Sequence, residues 1–149
     1  MFIENDLDDT DRQILLHLQA NGRVSMSDLA KSVGMSAPSV KDRVRRLEDR
    51  RIIRKFTVEL DMAALGFSLE AIVRIKPRPG SLHVVEKMIM EEARFTACDK
   101  VTGDDCFIAR LALKSIQELD RLLDPFHEKA ETNTALVKSS PISNRSPAV

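Results

Sequence analysis

Met26-Ser27-Asp28-Leu29-Ala30-Lys31-Ser32-Val33-Gly34-Met35-Ser36-Ala37-Pro38-Ser39-Val40-Lys41-Asp42-Arg43-Val44-Arg45 is the stretch on which the fold turns. Leu29, Ala30 and Val33 fall at helical spacing, and Ser25 with Asp28 three residues on has the form of a shortened capping box. Gly34 stops this helix, because glycine accepts the left-handed conformation that ends one. Ser36 is a good N-cap for the next helix, over 37–50, and Pro38 is tolerated in its first turn, where a missing N–H has no partner to lose. Val40, Val44 and Leu47 form the buried seam of that helix. Two helices meeting at a tight glycine turn, with the small Ala30 where they cross, make a helix-turn-helix.

The outward side of the helix over 37–50, the third in the chain, is basic. From Ser36 to Lys55 there are eight basic residues against three acids, a net charge of +5, although the 149-residue chain as a whole carries 23 of each sign. A basic block in a neutral protein points at a polyanion. A recognition helix reads the major groove mainly with its N-terminal residues. That places Ser36, Pro38, Ser39, Lys41, Asp42 and Arg45 near the bases of double-stranded DNA, and Arg46 and Arg50 nearer its phosphates. Arg43 lies beside the buried seam and is expected to pair with a carboxylate of the first or second helix. Asp42 would repel phosphates unless it accepts from cytosine or orients an arginine; its plainer reading is an i,i+4 partner for Arg46.

Working outward, Leu7-Asp8-Asp9-Thr10-Asp11 opens a first helix, with acids where the helix dipole favours them. Ile14, Leu15 and Leu18 continue it, and Asn21-Gly22 is expected to end it in a left-handed cap. After Arg51, Ile52, Arg54, Phe56, Val58 and Leu60 share one parity and predict a strand, followed by a turn through Gly66. Ser68–Lys76 alternates as a half-buried strand. Leu82, Val85 and Ile89 predict a helix over 81–93. Strands follow over 95–102 and 106–113, joined by a turn at Gly103-Asp104-Asp105. Ser115 and Glu118 form a capping box for a helix with Ile116, Leu119, Leu122, Leu123 and Phe126 inward. A last strand is expected over 132–139.

The order β-α-β-β-α-β is ferredoxin-like. The fold class is therefore α+β, a three-helix (winged) helix-turn-helix domain followed by a ferredoxin-like domain. Expected boundaries are 1–52 for the DNA-binding part, 53–66 for a linker strand and turn, 67–140 for the ferredoxin-like part and 141–149 for a tail. Ala71, Val73, Ala109 and Leu111 on one parity, and Ile72, Cys98, Cys106 and Ile108 on the other, leave both sheet faces partly apolar. One face meets the helices; the other is expected to meet a second copy, giving a homodimer.

Composition excludes several classes. No apolar run approaches the length of a membrane span, and the acidic N-terminus lacks the basic start of a signal peptide, so no membrane partner and a cytoplasmic location are expected. The two cysteines and three histidines match no zinc spacing. No cofactor is implied. The chain has neither Trp nor Tyr, which argues against a base-stacking platform. No phosphate-cradling glycine loop, H-E-x-x-H or nucleophile with a base is present, so an enzyme is not expected.

Leu7-Asp8-x-x-Asp11-x-x-Ile14-Leu15, Asn21-Gly22-Arg23, Leu29-Ala30, Val33-Gly34-Met35-Ser36 and Val40-x-x-Arg43-Val44-x-x-Leu47-Glu48 together resemble the N-terminal domain of the Lrp/AsnC, or feast/famine, transcriptional regulators. Val101-Thr102-Gly103-Asp104 resembles the effector domain of the same family. The resemblance implies a sequence-specific regulator of amino-acid metabolism, assembled as dimers and often tetramers or octamers. It implies a small amino-acid effector in the C-terminal domain, with Thr102, Gly103, Asp104, Asp105 and Cys106 as the loop that holds it. Backbone amides at such a turn can hold a carboxylate, and an Asp can hold an ammonium.

The chain departs from the family pattern in two places. Cys106-Phe107 stands where many members carry an acid and then an aromatic. Arg51 stands where a Gly usually precedes Ile52-Ile53, which predicts local strain or a different turn. An architectural DNA-binding protein with no effector is the alternative reading. An RNA-binding module would need paired aromatics on the central strands, which Cys106-Phe107-Ile108-Ala109-Arg110 does not supply.

Overall fold

The computed structural model describes residues 7–147 and divides into two compact units, one of residues 7–59 with 146–147 and one of Leu60–Arg145.

The first unit is built from α1 (Asp9–Ala20), α2 (Met26–Val33) and α3 (Ala37–Asp49). Each helix starts on a side chain that satisfies an orphan N–H: Asp8 accepts from Asp11, Ser25 from Asp28 and Ser36 from Ser39. Leu7, Ile14, Leu15, Leu18, Leu29, Ala30, Val40, Val44 and Leu47 fill one core. Ala30 is buried there, as a close crossing of α2 on its neighbours requires.

α2 and α3 end in the same way. Beyond α2, Gly34 has φ 67° and Met35 N–H reaches the Ala30 carbonyl at 2.9 Å. Beyond α3, Ile52 N–H reaches the Leu47 carbonyl at 2.9 Å and Arg51 N–H reaches that of Glu48 at 2.8 Å. Arg51 has φ 57°. This is the Schellman arrangement, with an arginine where a glycine is cheapest. The strain expected at Arg51 is therefore present. The left-handed cap expected at Asn21-Gly22 is not: Asn21 is extended (φ −149°), and its side chain instead accepts Arg23 N–H at 3.0 Å.

The strand expected after Arg51 is not formed. Among the described residues, nothing pairs with 54–60 as a strand, and Phe56, Val58 and Leu60 stay exposed.

The second unit contains β1 (Leu69–Pro77), α4 (Leu82–Glu91), β2 (Phe95–Lys100), β3 (Phe107–Leu113), α5 (Ile116–Leu123), a single 3₁₀ turn (Asp124–Phe126) and β4 (Ala130–Leu136). The sheet order is β2-β3-β1-β4, antiparallel throughout, which is the ferredoxin-like topology. Ala71, Val73, Ile75, Phe107, Ala109, Leu111 and Leu113 point to one face and pack with Val85 and Ile89 of α4 and Leu119 and Leu123 of α5. Each large side chain among them contributes about 1.5–3 kcal/mol of burial.

Local readings need correction. Ile116, expected inward on its helix, is exposed. β2 carries an irregularity between Phe95 and Ala97, which shifts its parity and sets Cys98 opposite Ala109, on the helix-covered side rather than with Ile72 and Ile108. β4 begins at Ala130 and ends at Leu136, two to three residues earlier than 132–139, because buried Ala130 is its anchor. The capping box of α5 is displaced by one residue: Ser115 accepts Glu118 N–H, but Glu118 Oε2 accepts from Lys114 N–H at 2.7 Å.

Candidate nucleic-acid interface and effector loop

α3 owes its two-sided character to its register. Val40, Val44 and Leu47 take the seam into the core, which turns Lys41, Asp42, Arg45, Arg46 and Arg50 outward and exposed. Ser36 and Pro38 are exposed at its start and Ser39 is half-buried. The two serines are joined through their hydroxyls at 2.8 Å, so the cap that starts the helix also fixes the polar groups at its tip. The eight positions expected at a DNA interface thus lie on one helix and its cap. Among the described residues, Lys41, Arg45, Arg46 and Arg50 form no ion pair. The expected Asp42–Arg46 pair is not formed either; both side chains stay in solvent, where such a pair contributes little.

Arg43 behaves differently. Its guanidinium donates to Asp8 Oδ2 at 2.6 Å and to Asp11 Oδ1 at 2.8 Å. The carboxylate it was expected to meet is thus a pair of them, both from the start of α1. Asp11 first, then Asp8, hold Arg43 more firmly in its charged form. The Asp11 backbone N–H and then Arg43 hold the Asp8 carboxyl below its ordinary range. A shallow cleft of about 290 Å³ opens beside this cluster, lined by Asp11, Arg43, Arg46, Leu47, Asp49 and Arg50. Asp11 was named in the sequence only among the acids that open the first helix, and Asp49 was not expected at a site. The i,i+3/i+4 spacing of Arg46, Asp49 and Arg50 was the available signal for Asp49.

The loop between β2 and β3 is closed by Val101 N–H donating to the Cys106 carbonyl at 2.8 Å. Thr102, Gly103 and Asp104 are exposed, and Asp105 and Cys106 are half-buried. Gly103 has φ 116° and Cys106 φ 63°, so the loop enters β3 through a left-handed cysteine. That thiol packs against the sheet-helix core. Among the described residues, the N–H groups of 102–106 have no backbone acceptor and the carboxylates of Asp104 and Asp105 have no cation. Open amides and open carboxylates in one short loop suit a zwitterion.

The remaining reactive groups do not gather into a site. Burial pushes the Cys98 thiol up, helped by Asp99 and Glu86, which disfavours a thiolate. Among the described residues no group of His, Cys, Asp and Glu is placed to hold a metal ion. No described helix is long and apolar enough to cross a membrane.

Residues 7–48 match the family model of the AsnC-type helix-turn-helix domain, and residues 70–147 match that of the Lrp/AsnC ligand binding domain. The HTH-type transcriptional regulator YezC of Bacillus subtilis is 31% identical over 134 residues, covering 90% of this chain and 95% of YezC. The structure of LrpC from B. subtilis superposes with a TM-score of 0.86 at 27% identity, over 93% of this chain and 99% of that one. The feast or famine regulatory protein of Mycobacterium tuberculosis, described in complex with L-methionine, gives 0.87 at 27% identity over 96% and 99%.

Proposed function

The chain belongs to the Lrp/AsnC family of transcriptional regulators, and on that premise we propose that it is a sequence-specific regulator of amino-acid metabolism whose DNA binding is modulated by a small amino acid. Its relatives are regulators with DNA-binding and ligand-binding domains, and it is one of them rather than an enzyme. In this reading residues 1–52 bind double-stranded DNA, 53–66 link, and 67–140 bind the effector and oligomerise, in the cytoplasm.

One observation carries the proposal: among the described residues, the chain holds both a helix with unpaired outward cations and a loop with unpaired amides and carboxylates. Ser36, Pro38, Ser39, Lys41, Asp42 and Arg45 face the bases and Arg46 and Arg50 the phosphates. Amides of the 102–106 loop take the effector carboxylate, with Cys106 contributing backbone rather than thiol, and Asp104 or Asp105 takes its ammonium.

A homodimer, assembling further to tetramers or octamers, fits two features. The uncovered sheet face carries Ile72, Ile108 and Ala112 around the Glu70–Arg110 ion pair. The 54–60 segment offers backbone groups that are unpaired among the described residues. Each protomer then supplies one recognition helix to a half-site.

The test is a thermal-shift screen of the full chain against the twenty amino acids at millimolar concentration, L-methionine first. A ligand at a hundredfold excess over its Kd stabilises the native state by about 2.7 kcal/mol. A hit that disappears in Asp104→Ala supports the reading. No hit from any amino acid, in a chain that still binds duplex DNA, favours the effector-independent architectural alternative.

A further inference from the structure

We propose that Arg43 is a positioning residue of the DNA interface: clamped by Asp8 and Asp11, it fixes the pose of α3 against α1 and lends no charge to the phosphates, a role left to Arg46 and Arg50 on the same cleft. The inference rests on the reading of α3 as the DNA-binding helix. All three arginines line one cleft, so basic character alone gives them one role. Their partners separate them. Arg43 is only 20% exposed and meets two carboxylates. The cluster of one cation and two anions carries a net negative charge and attracts no phosphate. Arg46 and Arg50 are exposed and unpaired among the described residues.

The geometry also says what the clamp holds. Asp8 is the N-cap of α1, and its Oδ1 accepts Asp11 N–H at 2.7 Å while its Oδ2 takes Arg43. The group that begins α1 is therefore the group that fastens α3 to it. Short charge-assisted bonds are directional, and a planar guanidinium holds an angle that a lysine ammonium does not. Arg43 lies one residue from Asp42 and two from Arg45 on α3, so a rotation of the helix there moves both relative to a groove.

The experiment uses a duplex selected by the full chain from a random-sequence pool, with a scrambled duplex as control, and reads Kd against salt. Arg43→Met weakens the selected duplex by about tenfold or more, the scale of one lost base contact. It leaves the salt slope and the scrambled duplex unchanged, and Arg43→Lys recovers only part of the loss. Arg46→Ala flattens the slope by about 0.9, one phosphate.

Asp8→Asn keeps the cap, since Asn caps as well as Asp, but removes a negative charge beside the cleft. Simple electrostatics predicts tighter binding to every duplex; the positioning role predicts weaker binding to the selected one. This variant decides the matter should Arg43→Met fail to fold. The inference is overturned if Arg43→Met flattens the slope as Arg46→Ala does, or if Asp8→Asn tightens both duplexes alike. An unmodified chain that selects no duplex overturns the DNA-binding reading, and this inference with it.

Discussion

α3 and the segment after it are neighbours in sequence and opposites in how their apolar residues are used. In α3, Val40, Val44 and Leu47 are 0%, 6% and 1% exposed. Across the left-handed turn at Arg51, Phe56, Val58 and Leu60 are 51%, 74% and 55% exposed. The helix satisfies its backbone internally and its seam within its own unit, so what it presents outward is unpaired charge. The segment after it satisfies neither within the described residues. The first arrangement fits a polyanion and the second a protein surface. One stretch of fewer than thirty residues thus offers a surface suited to each kind of partner in the proposed function.

Five variants test how far these two neighbouring segments differ. The largest effect is expected from Leu47→Ala, which empties the seam of α3 and should cost about 2–5 kcal/mol by chemical denaturation. A loss below about 1 kcal/mol would mean that α3 is not held by its own unit. Next, Val58→Asp should weaken self-association by about tenfold or more, read by sedimentation, without altering helix content. An unchanged oligomer would remove 54–60 from the interface.

Arg51→Gly relieves a left-handed L-residue and should stabilise the chain by up to about 1 kcal/mol, the relief of strain exceeding the added freedom of the unfolded chain. The smallest effect concerns acid. Asp8 and Glu118 are held below their ordinary ranges, by the backbone N–H of Asp11 and of Lys114 first and by arginines second. Their contribution is full above the unfolded values, near about 4, and is lost as pH falls through the lower folded ones. Asp8→Asn and Glu118→Gln should each lower stability at neutral pH, by far less than Leu47→Ala, and shallow its further loss below about pH 4.

What could be read from the sequence was local. Ser25, Ser36 and Ser115 act as caps because a cap is decided within three residues, and Gly34 because its conformation is its own. The Arg43 clamp was legible in kind, from its place beside the seam, but not in its two partners, which lie 32 and 35 residues away. Cys98 was assigned to the wrong face because the irregularity at Phe95–Ala97 inserts no signal of its own. Residues 54–60 have the alternation of a strand, but a strand exists only when something pairs with it. The left-handed Cys106 was hidden because the position carries no glycine. Of the two candidate sites, the helix was visible as a charge pattern; the loop rests on resemblance, to which the structure adds open amides and carboxylates.

The most direct test of the central claim, that α3 is the DNA-reading element, is fluorescence anisotropy of a labelled selected duplex titrated with the full chain and with Arg45→Ala, at about 50 and about 200 mM salt. The unmodified chain should bind and weaken steeply with salt, and Arg45→Ala should lose about tenfold or more at both concentrations while its stability is unchanged. Equal affinities for the two proteins at both salts would contradict the assignment of this face.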